Sequence, residues 1–390
     1  MASGTRKVAV VGVALSDCGR VDDLTAYALH AQAARRALAD AGLGRDRVDG
    51  FASAGLGTLA PVEVAEYLGL RPTWVDSTSV GGSTWEVMAA HAADAIAAGH
   101  ANAVLLAYGS TARADIKAGR RTGNLSFGAG GPLQFEVPYG HTLIAKYAMA
   151  ARRHMVEHGT TVEQLAEVAV QARANAGLNP EAMFRSPITV DDVLSGPMIA
   201  DPFTKLHCCL RSDGGAAVLL AAEEYVRDCR TEPVWVLGTG EHVSHGAMSQ
   251  WPDFTVSPAA VSGRLAFERA GVRPAEIDFA EIYDAFTYMT LVTLEDLGFC
   301  GKGEGGAFVG KGRLEVTGGD LPVNTDGGGL SAQHPGMRGL FLLVEAVRQL
   351  RGEAGARQVR KGREGRLPRL AVASGTGGWF CSAGTVVLGR

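Results

Sequence analysis

The chain has 390 residues, with 37 Lys and Arg against 41 Asp and Glu and a formal net charge of −4. That balance carries no nucleic-acid footprint, which would show as a basic excess or stripe. Hydrophobic residues make up 46% and glycines number 52, nearly twice the usual rough 7% and without a collagen-like period, so the chain reads as globular and rich in tight turns. At about 150 residues per domain it has room for two or three units and a sizeable core.

In chain order, Val8 to Val13 is a short apolar run of the kind that forms a buried parallel strand. Leu24 to Ala41 is rich in Ala and Leu at helical spacing and stops at Gly42; a second strand is expected around Val48 to Ala52, followed by a turn. A helix is expected from about Thr84 to Ala98, closed by Gly99, and feeds a strand at Ala103 to Tyr108. Such alternation calls for a parallel or mixed sheet covered by helices.

The segment Ala34 to Leu43, leading to Val48–Ala52, has an echo in Arg264 to Val272, leading to Ile277–Ala280: each helix ends at Ala-Gly-apolar and a loop delivers the chain to an apolar-Asp strand. A later helix, Leu340 to Leu350, precedes a strand at Arg369 to Ser374. Similarity at half a chain's spacing means that a whole α/β unit is duplicated. The halves are expected at 1–230 and 231–390. The first contains an inserted loop domain at about 111–230, with a glycine patch at Gly128–Gly131 and helices near Tyr147–His158 and Val162–Ala176. A connection of this length usually carries function or covers a site.

Six cysteines without a CxxC pair indicate neither a zinc ribbon nor a disulfide framework, so a reducing, cytoplasmic setting is expected. Arg6-Lys7 before Val8–Leu15 imitates a secretory leader, but Asp17 stands where a small residue is needed and the β-branched run suits a strand better. No apolar stretch reaches about 18 residues, so no membrane span is expected. His207-Cys208-Cys209 puts soft ligands side by side, but neighbours on a strand face opposite ways and no second ligand pair follows. The glycine runs lack the Lys-Ser/Thr of a phosphate loop, and no GxSxG elbow is present.

Three points after expected strands remain: Val80-Gly81-Gly82-Ser83-Thr84, Glu281-Ile282-Tyr283-Asp284-Ala285-Phe286, and Asn324 to Gly336. In the last, three glycines and a His-Pro-Gly corner force irregular backbone, free N–H groups and present His334 at a helix N-terminus, where developing negative charge is stabilised.

The pattern Asn324-x-x-Gly327-Gly328-(x5)-His334-Pro335, the Glu281–Phe286 box and the terminal glycine-rich turn resemble the thiolase superfamily. Within it the chain most resembles sterol-carrier-type thiolases and the thiolase-like aldolases of bacterial steroid side-chain degradation. The resemblance runs along nearly the whole chain. It implies duplicated halves forming a five-layered α-β-α-β-α fold, a homodimer, and a separately encoded small partner with an OB-fold and a zinc ribbon. Aligned on that pattern, the nucleophilic cysteine falls at Gly81, the second catalytic cysteine at Ser374 or Gly375, and the compensating cysteine of sterol-carrier thiolases at Ala285. Ser83 and Cys381 lie near these places; Ser83 reads as structural and Cys381 as buried in the last strand.

Without either cysteine, acyl transfer through a thioester enzyme is unexpected. The resemblance then implies retro-aldol cleavage of a β-hydroxyacyl-CoA, such as a steroid side-chain intermediate, with the enolate stabilised by His334 and Tyr283 and no resident cofactor. Asp284, Asp326, Tyr283 and Tyr288 are the candidate bases. Cys209 falls where the family touches pantetheine, and Arg113, Lys117, Arg120 and Arg121 form a basic run that could meet CoA phosphates. Some steroid-cleaving relatives have a tyrosine where this chain has His334, which leaves room for another β-hydroxy or β-keto acyl chain. Two alternatives stay open: an acyltransferase using a nucleophile such as Ser83, and a silent subunit that positions a partner's substrate.

Overall fold

The structure is a computed structural model and describes residues 6–120, 131–140 and 142–390. Arg121, and Gly128 and Gly130 of the expected patch, lie outside the described residues. The first half contains β1 (Val8–Leu15), α1 (Ala26–Ala41), β2 (Gly50–Ala52), α2 (Ala60–Leu68), β3 (Trp74–Asp76), α3 (Thr84–Ala97) and β4 (Ala103–Ser110). The long connection that follows holds α4 (Ala112–Lys117), α5 (Leu143–His158), α6 (Val162–Gly177), α7 (Val190–Leu194) and the hairpin β5 (Met198–Ala200) and β6 (Phe203–Thr204). It returns to the sheet as β7 (Gly214–Ala222), a wholly buried strand in the middle of the first half. After α8 (Glu223–Val226) come β8 (Val234–Val243), α9 (Ala259–Ala270), β9 (Phe279–Ile282), α10 (Thr287–Asp296), α11 (Gly305–Phe308), α12 (Gly339–Arg351), β10 (Leu370–Gly377) and β11 (Ser382–Gly389).

The strand order β3-β2-β4-β7-β1-β8-β11-β10-β9 shows the duplication directly. From the centre outward, the first half reads β1, β7, β4, β2, β3 and the second β8, β11, β10, β9. The pairing senses match as well: β1·β7, β4·β7, β8·β11 and β10·β11 are antiparallel, while β2·β4 and β9·β10 are parallel. Val323 makes a single parallel bridge to Ala280, in the position that β3 holds beside β2. It extends no further because Asn324 turns away with φ +50°. The halves meet through a short β1·β8 pairing at Ala9–Trp235 and Val10–Val234.

The layers follow from which helices meet which strands. Helix α1 packs on β1, β4 and β7, and α9 on β8, β10 and β11, forming the two outer layers; α3 and α12 touch strands of both halves and form the middle one. Glycine on the sheet sets the helix approach in both halves. A Cβ on Gly12 would lie 2.3 Å from the Ala37 carbonyl oxygen, and one on Gly238 would lie 2.3 Å from that of Ala266. Helix α1 is capped by Thr25, whose side chain accepts from the Ala28 N–H, and ends at Gly42 with φ +74°. The segment 53–83, read from sequence as a turn, contains α2 and the edge strand β3: three residues are too few for a periodic signal. His207 lies in a 3-10 turn bonded to Thr204, rather than on a strand.

Candidate active site

The site forms where β9, the start of α3, the glycine corner at 324–336 and the end of β10 converge. Tyr283 and Asp284 follow β9, and the Tyr283 N–H donates to the Ser374 carbonyl at 3.0 Å. Asn324 fastens the corner to the same strand by accepting from the Ile282 N–H at 2.7 Å. Gly327 and Gly328, with φ +102° and +67°, admit the π-helical turn Gly328–Ala332. Ser212 then receives the His334 N–H at 2.9 Å and fixes the main chain there.

His334 and Tyr283 come together edge to face, with ring centroids 5.6 Å apart and planes at 89°. His334 keeps some exposure, but its Nε2 is sealed and has no hydrogen-bond partner. Burial, reinforced by the nearby Arg338 charge, lowers its pKa from the usual 6.5 to about 4, so the imidazole is neutral at pH 7. Burial pushes the Tyr283 phenol well above its ordinary value, with Cys209 and Tyr108 pushing the same way, so this hydroxyl keeps its proton. A neutral imidazole facing a phenol that remains a donor suits a site that must receive developing negative charge.

The two aspartates sit elsewhere in this geometry. Asp284 accepts from the Gly329 N–H at 2.7 Å and the Leu330 N–H at 3.2 Å, and Asp326 accepts from Gly328 N–H at 2.9 Å. Both face Arg338, a residue unremarked in the sequence: its Nη2 donates to Asp326 at 2.6 Å and its Nε lies 3.6 Å from Asp284. Arg338 is fully buried and also donates to the Gln333 carbonyl at 2.9 Å. Burial lifts Asp284 to about 7, against the pull of Arg338, whereas the guanidinium outweighs burial at Asp326 and lowers it. Their contacts hold the glycine corner. Tyr288 points away and donates to the Phe254 carbonyl at 3.1 Å.

The places of the family cysteines are closed. Gly81 has φ +83°, and a Cβ there would lie 2.6 Å from Gly378 N and 2.7 Å from Gly377 Cα. A Cβ on Gly82 would lie 2.5 Å from Tyr283 Cζ, so the phenol occupies the space beside the missing thiol. Ser374 bonds the Thr385 hydroxyl at 3.1 Å, and a Cβ on Gly375 would lie 2.0 Å from Glu86 Oε2. Ser83 is buried and bonded to Ser382 at 2.8 Å. Cys381 keeps its thiol, with burial raising it to about 11, far from the thiolate that nucleophilic attack requires.

Beside this centre lies a cleft of about 850 Å³ whose lining includes Arg20, Arg113, Lys117, Arg173, Lys205 and Arg211, the carboxylate of Asp22, and Cys209 and Leu330. Of the expected basic run, Arg113 is held by buried Asp213 at 3.0 Å and by Asp22, Lys117 reaches Asp22 at 3.4 Å, and Arg120 pairs with Asp115 away from the cleft. Arg20, Lys205 and Arg211 carry no motif, and only the fold brings their distant segments together. Among the described residues, no group of three or more His, Cys, Asp or Glu is placed to hold a metal.

A duplicated α-β-α-β-α architecture with an oxyanion-type corner between the halves defines a thiolase-type fold, here without its thiols. Comparison with known proteins agrees. A family described as Thiolase C-terminal domain-like matches residues 240–390. The acetyl-CoA acetyltransferase of Methanothermobacter thermautotrophicus is 35% identical over 95% of this chain and 98% of its own length. The 17-hydroxy-3-oxo-4-pregnene-20-carboxyl-CoA lyase of Mycobacterium tuberculosis is 35% identical over 89% of this chain and 92% of its own. The solved Ltp2-ChsH2(DUF35) aldolase superposes with a TM-score of 0.87 at 30% identity, covering 98% of both chains. The chain belongs to the thiolase superfamily.

Two outcomes follow. Gly81→Cys should destabilise the fold by about 1–3 kcal/mol through overpacking and give no thiolysis; a thermal melt and a CoA-dependent cleavage assay check both. Arg338→Leu should cost about 3–5 kcal/mol in a denaturant titration, because it leaves two buried carboxylates unpaired.

Proposed function

We propose that the protein is a carbon–carbon lyase that cleaves a β-hydroxyacyl-CoA by a retro-aldol reaction. The observation that carries this reading is the closed nucleophile site: Gly81 has no room for a side chain, and Tyr283 packs against its neighbour Gly82. The names of its relatives support it, since one is a CoA lyase on a steroid acid and a solved neighbour is an aldolase. A steroid side-chain thioester is the substrate class these names favour. Coenzyme A arrives as part of that substrate, and no resident cofactor takes part.

The thioester oxygen accepts from the Tyr283 hydroxyl. Neutral His334 takes the β-hydroxyl proton, the Cα–Cβ bond breaks, its electron pair becomes the enolate, and a ketone or aldehyde leaves. The imidazolium then stands beside the enolate, stabilises it, and returns the proton to Cα to give the shortened acyl-CoA. Asp284 and Asp326 act as positioning residues through Arg338 and the glycine corner. The cation-lined cleft receives the CoA phosphates, with Cys209 against pantetheine.

A homodimer with an additional OB-fold and zinc-ribbon partner completes the assembly. The free edge at β3 and exposed Leu59, Val62, Tyr67 and Val75 beside it offer a surface for the second copy. Among the described residues no helix is long and apolar enough to cross a membrane. The six free thiols suit a reducing cytoplasm.

The deciding experiment incubates the protein, with and without such a partner, with β-hydroxyacyl- and β-ketoacyl-CoA thioesters and identifies products by mass spectrometry. Shortened acyl-CoA plus a ketone or aldehyde, without added CoA, is expected; CoA-dependent cleavage of the β-keto compounds would overturn the reading, and turnover of none would favour a silent subunit. His334→Ala and Tyr283→Phe should each lower kcat by about 10²–10³-fold with substrate still bound. Because the His334 pKa lies below its ordinary value, the active neutral form persists as pH falls through 6.5, and the acid limb of kcat/KM should lie near pH 4. Arg20→Glu with Lys205→Glu should raise KM about tenfold with kcat nearly unchanged, and the effect should shrink at high salt.

A further inference from the structure

Glu86 stands in the first turn of α3, 1% exposed, with both carboxyl oxygens sealed and without a hydrogen-bond partner. The surrounding elements are cleared to admit it. A Cβ on Gly375 of β10 would lie 2.0 Å from Oε2, one on Gly339 at the start of α12 would lie 2.5 Å from Oε2, and one on Gly384 of β11 would lie 2.8 Å from the Glu86 Cβ. Three glycines on three elements therefore make room for one side chain, two of them for its carboxyl group. A Cβ on Gly339 would also lie 2.7 Å from the Gly82 carbonyl oxygen, which puts that carbonyl and the carboxyl in the same small space. Tyr283 packs against Gly82, where a Cβ would lie 2.5 Å from its Cζ, and Gly339 directly follows Arg338.

We propose that Glu86 is a positioning residue for the enolate site, acting as a neutral carboxylic acid wedged between the Gly81–Ser83 turn and the Arg338–Gly339 junction. A carboxylate beside a carbonyl oxygen would repel it, whereas a protonated carboxyl can face it as a donor. No ion pair reaches Glu86 among the described residues. The charged and titratable groups on neighbouring elements are engaged elsewhere: Arg338 with Asp326, Glu345 with Arg357, Glu281 with Thr325, and His91 with Asp76 and Glu241. Asp94 faces solvent, and Tyr283 keeps its proton. Burial accordingly raises the Glu86 pKa to about 8. The charge-free wedge fills the floor on which Tyr283 rests and so sets the distance between the phenol and His334. This role rests on the retro-aldol reading given above.

The test compares Glu86→Gln and Glu86→Leu with the wild type in the full chain. The wild-type-minus-Gln infrared difference spectrum should show a protonated-carboxyl band at pH 6 that fades by pH 9; its absence at pH 6 overturns the proposal. Because the folded pKa is raised, the stability Glu86 contributes is present at low pH and lost as pH rises through about 8, so the Gln variant should melt progressively higher than wild type between pH 5 and 8. Parallel melting curves overturn it. In turnover of a β-hydroxyacyl-CoA, Gln should keep kcat within about twofold, while Leu should lower kcat at least tenfold with KM little changed. Equal rates for Leu and wild type, or equal losses for Gln and Leu, overturn the positioning role. A wild type that cleaves none of the thioesters removes the retro-aldol reading instead, and the band and melts still decide the state of Glu86.

Discussion

The site depends on one buried cation. Arg338 carries a full charge out of water at the start of α12, and it is tolerated there because Asp326 bonds it and Asp284 lies within ion-pair distance. Those aspartates in turn accept the N–H groups of Gly328, Gly329 and Leu330, which a π-helical turn would otherwise leave unsatisfied. Burial, reinforced by the same positive charge, keeps His334 neutral. The buried ionic arrangement thus fixes the backbone of the corner and contributes to the protonation state of the imidazole.

Duplication supplies the frame for that arrangement. Each half delivers the same strand order, and the chain between the halves' strands leaves the sheet at two kinds of place: α3 starts from the Gly81–Ser83 turn in the first half, and the corner and α12 follow β9 in the second. Because α3 and α12 share the middle layer, the two turns meet. Glycine makes the meeting possible: Gly81 against Gly377 and Gly378, Gly82 against Tyr283, and Gly339 and Gly375 around Glu86 all sit at distances that any side chain would violate.

This packing also explains why loss of the thiols is more than a change of two residues. At one place backbone fills the volume, at its neighbour a phenol, and at the other a carboxyl group. In place of the thiols the chain brings together a neutral imidazole and a protonated phenol, His334 and Tyr283, beside a cleft lined by several cationic side chains. Arg20, Lys117, Lys205 and Arg211 of that cleft are exposed, whereas Arg173 is buried and Arg113 largely so, and the buried ionic corner sets the geometry beside them.

By itself the sequence determined the α/β class, the repeat written in Ala34–Leu43 and Arg264–Val272, and the motifs containing Tyr283 and His334, because periodicity, glycine stops and short boxes are local properties. It also showed that both cysteines are missing. It did not reveal β3 or α2, which are short and take their stability from neighbours, nor the return of the long connection as β7 in the middle of the sheet. It placed Asp284 and Asp326 near the chemistry, but only the tertiary structure shows that their oxygens are taken up by Arg338 and backbone N–H groups. Arg338 and Glu86 carry no motif, and the cleft draws its cations from segments as far apart as Arg20 and Arg211. Burial decides these roles, and burial is a property of what the rest of the chain folds against.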